Sequence, residues 1–528
     1  MTSESNCYRP YYQPLSADQI AQLIDQGCSC DDWSKVTVAA GFRADTVKAT
    51  HFSGHVKLGR FEKQVSFFGG VSRPTGISHA TIHNCRIGDN VYINRVRNCI
   101  ANYVIEEDAV IENIDLLAVE GPSSFGNGVE VAAVNEVGGR EIPIYDGLSA
   151  QKAYIMVFYR HRPRLIEKLR QMIADYAASV TSSMGLVGER ARIINCRIMR
   201  NIKVGPAGFL EAVNKLENGS INSCPEDPVY IGPGVFAERF IACSGSSISD
   251  GTIIYRSFIG QGTVLSRQYS AENSVFFANC GGFHGEACAV FAGPYTVTHH
   301  KSTLLISGLF SFLNAGSGTS QSNHMYKSGP VHQGIVERGS KTASDSYVLW
   351  PAKVGPFTVV MGRHYRNSDT SDLPFSYLID HEDESILVPG VNLRSVGTIR
   401  DARKWPGRDR RKAPSKLDCI NFQLLSPYTV QKMLNGSALL AKLKETSGET
   451  SECFAYHSVR IKGTSLVKGL RLYRLGIDKF LGNCLIKQLT GKQLTNVEHL
   501  QAQLKPQTDI GPGKWVDPAG MFAPEKAV

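Results

Sequence analysis

The chain has 528 residues, of which 42% are hydrophobic and 20% charged, and this balance excludes disorder as its general state. Its 57 basic residues outnumber its 48 acidic ones without forming a dense Lys/Arg stripe, which argues against a nucleic-acid binder. The sequence lacks a basic and apolar leader and any run of about 18 apolar residues, so we expect a cytoplasmic protein without a membrane span.

A six-residue period dominates the first third of the sequence. We expect residues 1–49 to form an N-terminal cap and residues 50–120 a first repeat block. Within that block, apolar residues recur every sixth position, at Ile87, Ile93, Cys99, Ile105, Ile111 and Leu117. Neither a helix nor an alternating strand has this period. It predicts a solenoid of short strands, three to a coil of about 18 residues, in which each inward side chain stacks on the next coil.

The period breaks between residues 121 and 184. A Gly-rich stretch leads to apolar residues at helical spacing, namely Leu165, Leu169, Met172, Ile173, Tyr176 and Val180. Pro163 suits the first turn of this helix and Gly185 its end. We therefore predict an insertion carrying a helical arm, which packs either on the same chain or on a neighbouring subunit.

The repeats resume over residues 185–400, which we predict to be a second β-helix block. Aliphatic-Gly turns mark its corners, for example Ile231-Gly232, Ile259-Gly260 and Val354-Gly355. The pattern changes again at the basic run 400–412, which contains seven basic and two acidic residues. Residues 401–528 are predicted to be a mostly helical C-terminal region with a Pro/Gly-rich tail.

These repeats resemble the hexapeptide-repeat superfamily of left-handed parallel β-helices, whose members include sugar-handling acyltransferases and gamma-class carbonic anhydrases. More narrowly, strings such as FGNGVEV, NEVGGREIPIYD and MGRHYRNSDTSDLPFSYLI resemble a family of unknown function with long β-helix proteins, common in Bacteroidetes. The resemblance implies a homotrimer with an inserted arm and a C-terminal extension. Acyl-coenzyme A is the cofactor that the likeness to acyltransferases implies.

Histidines mark the second block as the place for chemistry, because seven of the 14 lie between residues 284 and 381. The resemblance to acyltransferases implies a histidine general base, and imidazole titrates near neutrality as that role requires. His284 is the leading candidate, with Glu286 two residues on and so on the same face of a regular strand. His324 and His332 are the other predicted catalytic residues.

A metal site is an alternative interpretation of the same histidines. His299, His300, His324 and His332 could converge from successive coils, as the resemblance to gamma-class carbonic anhydrases implies. The spacing departs from that family, since the sequence has no HxxxxH and adjacent histidines on a regular strand point to opposite faces. We therefore assign no metal, with His299 and His300 as the weak candidates.

Basic and polar residues of the second block suggest an anionic ligand. The predicted contacts are Asn323, Lys327, Arg338, Lys341, Lys353, Arg363, His364, Tyr365 and Arg366. On a solenoid, residues far apart in sequence can line one face, so these could hold a phosphate or a nucleotide-linked sugar. The run 400–412 either closes over that pocket or pairs with acids at an interface.

The sequence thus predicts a transferase-like protein that acts on an anionic, sugar-type or nucleotide-linked small molecule with a histidine base. A nonenzymatic β-helix scaffold or binding protein is the competing class, and a histidine-ligated metalloenzyme is the third. Convergence of the histidines with Arg363 in the folded chain favours an enzyme, whereas their dispersal over separate faces favours a scaffold.

Overall fold

Parallel pairing between successive coils organises most of the chain. The computed structural model describes residues 12–322, 333–447, 452–493, 495–506 and 509–528. Within these residues, 40 strands join into one continuous sheet whose coils pair in parallel. The separation between partners is one coil of chain, as in Ile93 with Ile111 and Phe258 with Val275. The predicted left-handed parallel β-helix, with an inserted helical segment and C-terminal helices, is confirmed.

The solenoid begins inside the segment predicted as a cap, since Ser29 already pairs in parallel with His51. Helix α1 (Ala17–Asp25) precedes this first coil. Strands β1 to β5 cover Tyr12–Pro14, Ser29–Cys30, Val36–Ala39, Val47–Ser53 and Val56–Leu58. An antiparallel hairpin, β6 (Gln64–Ser66) and β7 (Ser72–Pro74), leaves the coil within the predicted first block. Strands β8 to β12 follow at Gly76–His83, Arg86–Ile87, Tyr92–Ala101, Tyr103–Ile105 and Val110–Ala118.

The predicted apolar column of the first block is buried at five of its six positions. The exception is Cys99, where the register of β10 slips between Val96 and Cys99. Ile100 takes the inward position instead and pairs with Ile82 and Leu117. One extra residue in the strand therefore moves the column by one place.

Asparagines support several corners of the coils by accepting a left-handed backbone. Asn84, Asn102, Asn201 and Asn218 have φ values of 52, 62, 54 and 51°. Their side chains also bridge coils, with the Asn84 amide donating to Asn102 at 2.8 Å and the Asn201 amide to Asn218 at 3.0 Å. Asn tolerates this conformation better than most residues, so these positions fix where each coil turns.

The insertion is one long corner, because β12 pairs directly with strands beyond it, Val110 with Arg192. It contains β13 (Glu130–Val131), β14 (Ile142–Pro143), α2 (Ala150–Phe158) and α3 (Pro163–Val180). The two helices do not protrude. They share a buried apolar cluster with Ile241, Phe258, Phe277 and Phe291 of the second block. The arm was predicted to pack either on its own chain or on a neighbouring subunit. In the structure it packs on its own chain.

The second block continues the coils to residue 381. Strands β15 to β28 cover Gly185–Val187, Arg192–Ile194, Ile198–Val204, Phe209–Glu211, Lys215–Asn222, Tyr230–Ile231, Phe236–Cys243, Ser247–Ile248, Ile253–Ile259, Val264–Ser266, Ser270–Glu272, Val275–Phe276, Gly281–Phe283 and Gly285–Cys288. Strands β29 to β41 cover Phe291–Ala292, Val297–Thr298, Thr303–Ile306, Gly308–Phe310, Asn314–Ala315, Ser320–Ser322, Gly334–Val336, Lys341–Thr342, Tyr347–Leu349, Lys353–Val354, Val359–Met361, Arg363–His364 and Tyr377–His381.

The C-terminal region closes the end of the solenoid and then returns along its side. Strand β42 (Glu384–Val388) pairs antiparallel with β41, and α4 (Val396–Lys404) follows. Residues 405–425, here called the strap, are largely irregular and lie against the outside of the second block. The remaining elements are α5 (Pro427–Ser447), β43 (Cys453–Tyr456), β44 (Val459–Lys462), α6 (Gly463–Leu489), α7 (Val497–Leu504), β45 (Trp515–Val516) and β46 (Ala523–Pro524). In the described part of the chain, no helix is long and apolar enough to cross a membrane.

One inward column ends in a histidine. Its last steps pair Gln321 with Val348 and Val348 with His364, and the His364 side chain is fully buried. Its Nδ1 lies 2.8 Å from the Ser385 hydroxyl. Burial lowers the pKa of His364 from its usual 6.5 to about 4.

This depressed pKa predicts an acid-sensitive fold. The unfolded chain takes up the proton first as pH falls, so stability drops from about pH 6.5 and levels off below about pH 4. Between pH 7 and pH 5 the wild type should lose about 2 kcal/mol more unfolding free energy than His364→Gln. Urea unfolding at both pH values measures the difference. The exposed His381→Gln serves as the control, and an equal loss in wild type and H364Q would contradict the prediction.

Candidate functional site

A cavity of about 420 Å3 lies between the second block and the segment that crosses it. Its floor is an outward-facing column of the solenoid, in which Gly281, Val297, Asn314 and Lys341 pair in register on four successive coils. Its roof comes from α4 and the strap. The lining residues are Asn279, Gly281, Phe283, Tyr295, Val297, His299, Phe312, Leu313, Asn314, Lys341, Asp401, Trp405, Arg408 and Arg410. This space is called the strap cavity below.

Aromatic rings form one wall of the strap cavity. Tyr295 stacks on Phe312 with ring centroids 5.2 Å apart and planes 13° apart. The Trp405 ring of the strap lies 4.6 Å from the Phe312 ring, and its carbonyl accepts a hydrogen bond from the Tyr295 hydroxyl at 3.1 Å. Both solenoid rings stand at corners with positive φ, 60° for Tyr295 and 49° for Phe312. The coils thus present flat apolar surfaces to the cavity.

Positive charge exceeds negative charge around this wall. Lys341 forms an ion pair with Asp401, whose other oxygen accepts a hydrogen bond from Arg400. The Arg410 guanidinium donates to the Cys280 carbonyl at 3.0 Å, and the Arg408 side chain is exposed. Among residues that the structure describes, neither arginine makes an ion pair with a carboxylate, so the cavity suits an anionic group.

His299 stands at the edge of the strap cavity. Its ring stacks on Phe283 with centroids 5.7 Å apart and planes 16° apart. Partial burial, together with the positive charges of His300 and Arg408, lowers the pKa of His299 below its usual 6.5. The imidazole is therefore neutral near pH 7, which is the form a general base needs.

The leading predicted pair does not share one strand. His284 is a corner residue with φ of 55°, between β27 and β28. Those two strands pair with different strands of the next coil, so Glu286 lies on a different face from residues 281–283. The expectation that both side chains point to one strand face is therefore wrong, while a catalytic role for either stays a prediction. Four further predicted residues, Asn323, His324, Lys327 and His332, lie outside the described residues.

Arg338 is a structural residue in this fold, contrary to its predicted role as a ligand contact. Its side chain is only 2% exposed, and Nε lies 2.8 Å from an oxygen of Asp517 in the C-terminal tail. The guanidinium also donates to the carbonyls of Asn421 and Gly520. It lies over the Phe312 ring at 4.6 Å and thus directly behind the aromatic wall.

The other predicted ligand contacts lie in different parts of the structure. Lys341 lines the strap cavity. Lys353 pairs with Asp369 at 3.6 Å, and Arg366 lines a separate cleft of about 270 Å3 together with residues 455–460. Arg363 is an exposed residue of β40, and the Tyr365 ring lies 6.2 Å from the Tyr347 ring. His364 is buried and therefore not presented to a ligand, contrary to the prediction.

Within the described residues, the two weak metal candidates His299 and His300 do not form a ligand set. The rings of His299 and His300 lie 6.4 Å apart. Across the described ranges, no group of three or more His, Cys, Asp or Glu side chains could hold a metal ion. A zinc site needs three or four protein ligands within bonding distance.

Sequence reasoning missed most of the strap cavity. Tyr295, Phe312, Trp405 and Arg410 lie on three separate stretches that meet only when the strap crosses the coils. One signal was available, because a Gly-Pro-aromatic triplet occurs at 293–295 and again at 355–357. Such a triplet marks a coil corner whose ring faces outward or stacks on the next corner.

These features define a β-helix protein of hexapeptide-repeat type. Its coils pair in parallel, Gly and Asn stand at its corners, and added chain roofs an outer cavity. The chain belongs to the family described as "Domain of unknown function (DUF4954)", whose model matches residues 12–444. An "Uncharacterized protein" of Treponema pallidum (strain Nichols) is 27% identical over 449 residues, which is 81% of this chain and 61% of the relative. The chain therefore spans about three fifths of that relative's length.

Among solved structures, an Arabidopsis UDP-N-acetylglucosamine acyltransferase matches 58% of this chain and 93% of its own. The identity is 13% and the TM-score 0.17.

The buried Arg338–Asp517 pair predicts how the tail is held. Asp517→Ala leaves the guanidinium buried without its counter-charge and should lower the free energy of unfolding by about 3–5 kcal/mol. Limited proteolysis should also cut residues 512–528 faster. Asp478→Ala, which breaks the exposed Arg474–Asp478 pair, should cost less than about 0.5 kcal/mol. Urea unfolding compares the two variants, and equal losses would refute the anchoring role.

Proposed function

We propose that the protein binds an anionic, ring-bearing small molecule of the nucleotide-linked sugar class in the strap cavity and transfers a group to it. The observation that carries this proposal is the meeting of stacked rings with uncompensated cations in one cavity. Tyr295, Phe312 and Trp405 offer flat surfaces to a base or sugar ring, and Arg408 and Arg410 offer donors to a phosphate.

His299 supplies the general base in this proposal. Its neutral imidazole takes the proton from a hydroxyl or amine of the bound sugar, and that oxygen or nitrogen attacks the thioester carbonyl of an acyl-coenzyme A. The carbon–sulfur bond breaks, and the coenzyme leaves as a thiolate that receives the proton from the imidazolium. The lowered pKa of His299 supports this role.

A binding protein without catalysis is the second candidate. The dispersal of the predicted charged residues favours it, since Lys353 and Arg366 lie away from the strap cavity and Arg338 is buried. Tight binding of a nucleotide-linked sugar without turnover in the presence of acyl-coenzyme A would select this candidate over the transferase.

Binding should depend on Arg408 if this proposal is right. UDP-N-acetylglucosamine, UDP, acetyl-coenzyme A and inorganic phosphate form the probe panel, tested by thermal shift and then titration calorimetry. We expect Arg408→Ala to raise the dissociation constant of the best probe about tenfold or more, because a charge-assisted hydrogen bond contributes about 1.5–3 kcal/mol. Arg403→Ala on α4 is the matched control, since Arg403 is exposed and does not line the cavity. A flat panel, or equal effects of both variants, would reject the site.

The pH profile tests the base separately. Because the folded pKa of His299 is lowered, kcat/KM should rise with pH and reach its plateau through a midpoint below 6.5. His299→Gln should lower kcat by about a hundredfold or more and remove this acid limb, while leaving probe affinity within about threefold. A limb that persists in H299Q would assign the base to another group.

A further inference from the structure

Within the described part of the chain, one side of helix α6 is largely exposed. Its inner side packs against α5 and the end of the solenoid through buried residues, namely Leu466, Gly469, Leu472, Tyr473, Gly476 and Ile477. Beyond Ile477 the helix continues for three more turns, and most residues from 478 to 487 are exposed.

The outer side carries large apolar residues. Val467, Leu475, Leu481, Leu485 and Ile486 are each between 45% and 67% exposed. At about 100° per residue they share an arc of about 160° with Lys468, Arg471, Arg474 and Lys479. These nine residues are called the α6 outer face. It extends about 29 Å from Val467 to Ile486.

Positive charge predominates on this helix. Residues 463–489 contain five basic residues, the fifth being Lys487, and one acidic residue, Asp478. Asp478 lies within the same arc and pairs with Arg474 at 2.9 Å. Within the described residues, Lys468, Arg471 and Lys479 form no ion pair. The α6 outer face therefore combines exposed apolar side chains with uncompensated positive charge.

We infer that the α6 outer face is a peripheral docking surface for a bilayer that carries anionic lipids. Leucine and isoleucine side chains can enter the interface between headgroups and acyl chains, while lysine and arginine stems reach up to the phosphates. Neighbouring α7 adds the exposed Val497 and Leu504 next to the end of α6. The helix lies on the membrane in this arrangement and does not cross it.

The shape and charge of the face favour a bilayer over other occupants. A helix that binds a protein groove presents one narrow apolar stripe, whereas here apolar and basic residues alternate over a wide convex arc. A symmetric contact with a second copy would bring the same basic residues together, which like-charge repulsion opposes. The face also lies beyond residue 444, where the match to the family model ends, and the inference does not depend on the strap cavity.

Vesicle co-sedimentation of the full chain tests the inference. The probes are phosphatidylcholine vesicles with and without about 30% phosphatidylserine, each at low salt and at about 0.5 M NaCl. Leu481→Glu/Leu485→Glu alters the apolar part of the face, and Lys468→Gln/Arg471→Gln/Lys479→Gln alters its charge. Val396→Glu on α4 is the matched control, since Val396 is 78% exposed outside the face.

We expect binding to phosphatidylserine vesicles that salt weakens and that either multiple variant reduces at least tenfold, with Val396→Glu within twofold of wild type. Equal binding to both vesicle types, or no binding by the wild type, would overturn the inference. Light scattering tests the alternative occupant of the face, a second copy of the chain. A wild-type oligomer that L481E/L485E dissociates, with vesicle binding unchanged, would assign the face to a second copy and also overturn the inference.

Discussion

Coil-to-coil register is the constraint from which the rest of this structure follows. Each strand hydrogen-bonds to the strand one coil later, so every coil must contain nearly the same length of chain. Additional chain can leave only at a corner, where the backbone turns and the ladder is interrupted. The insertion obeys this rule, because Val110 pairs with Arg192 as though the intervening residues were absent. The added segments then pack on the outside of the coils, and the strap cavity arises between such a segment and the regular face.

The repeat was predictable from the sequence because the inward positions of a regular solenoid recur at a fixed period. The column that contains Ile93 and Ile111 shows this, because its members lie eighteen residues apart. His364 falls outside that arithmetic, since it pairs with the inward Val348 only sixteen residues before it. The period alone therefore does not identify His364 as a buried residue. The slip at Cys99 was not predictable, because a single extra residue in β10 changes the register without changing the composition.

The site was less predictable because side-chain type does not reveal what lies over an outward-facing residue. Arg338 and Arg408 are both arginines near the aromatic wall, yet Arg338 is sealed beneath the tail by Asp517 and Arg408 faces the solvent. Desolvation makes the first a fixed structural charge, whereas the second keeps its donors for a ligand. Only the path of the chain after residue 400 separates these two environments, and no local pattern encodes that path.

The same path couples the strap to the insertion. Asp418 is buried in the chain that returns along the coils, and its two carboxylate oxygens accept hydrogen bonds from the Ala150 and Ala278 amides, each at 2.7 Å. Ala150 opens α2, so the carboxylate also meets the positive end of a helix. The Asp418 carbonyl accepts from Arg411, which is itself held by Asp409. A ligand that moves the strap must therefore strain a buried carboxylate shared with α2, which makes the strap a fixed roof rather than a loose flap.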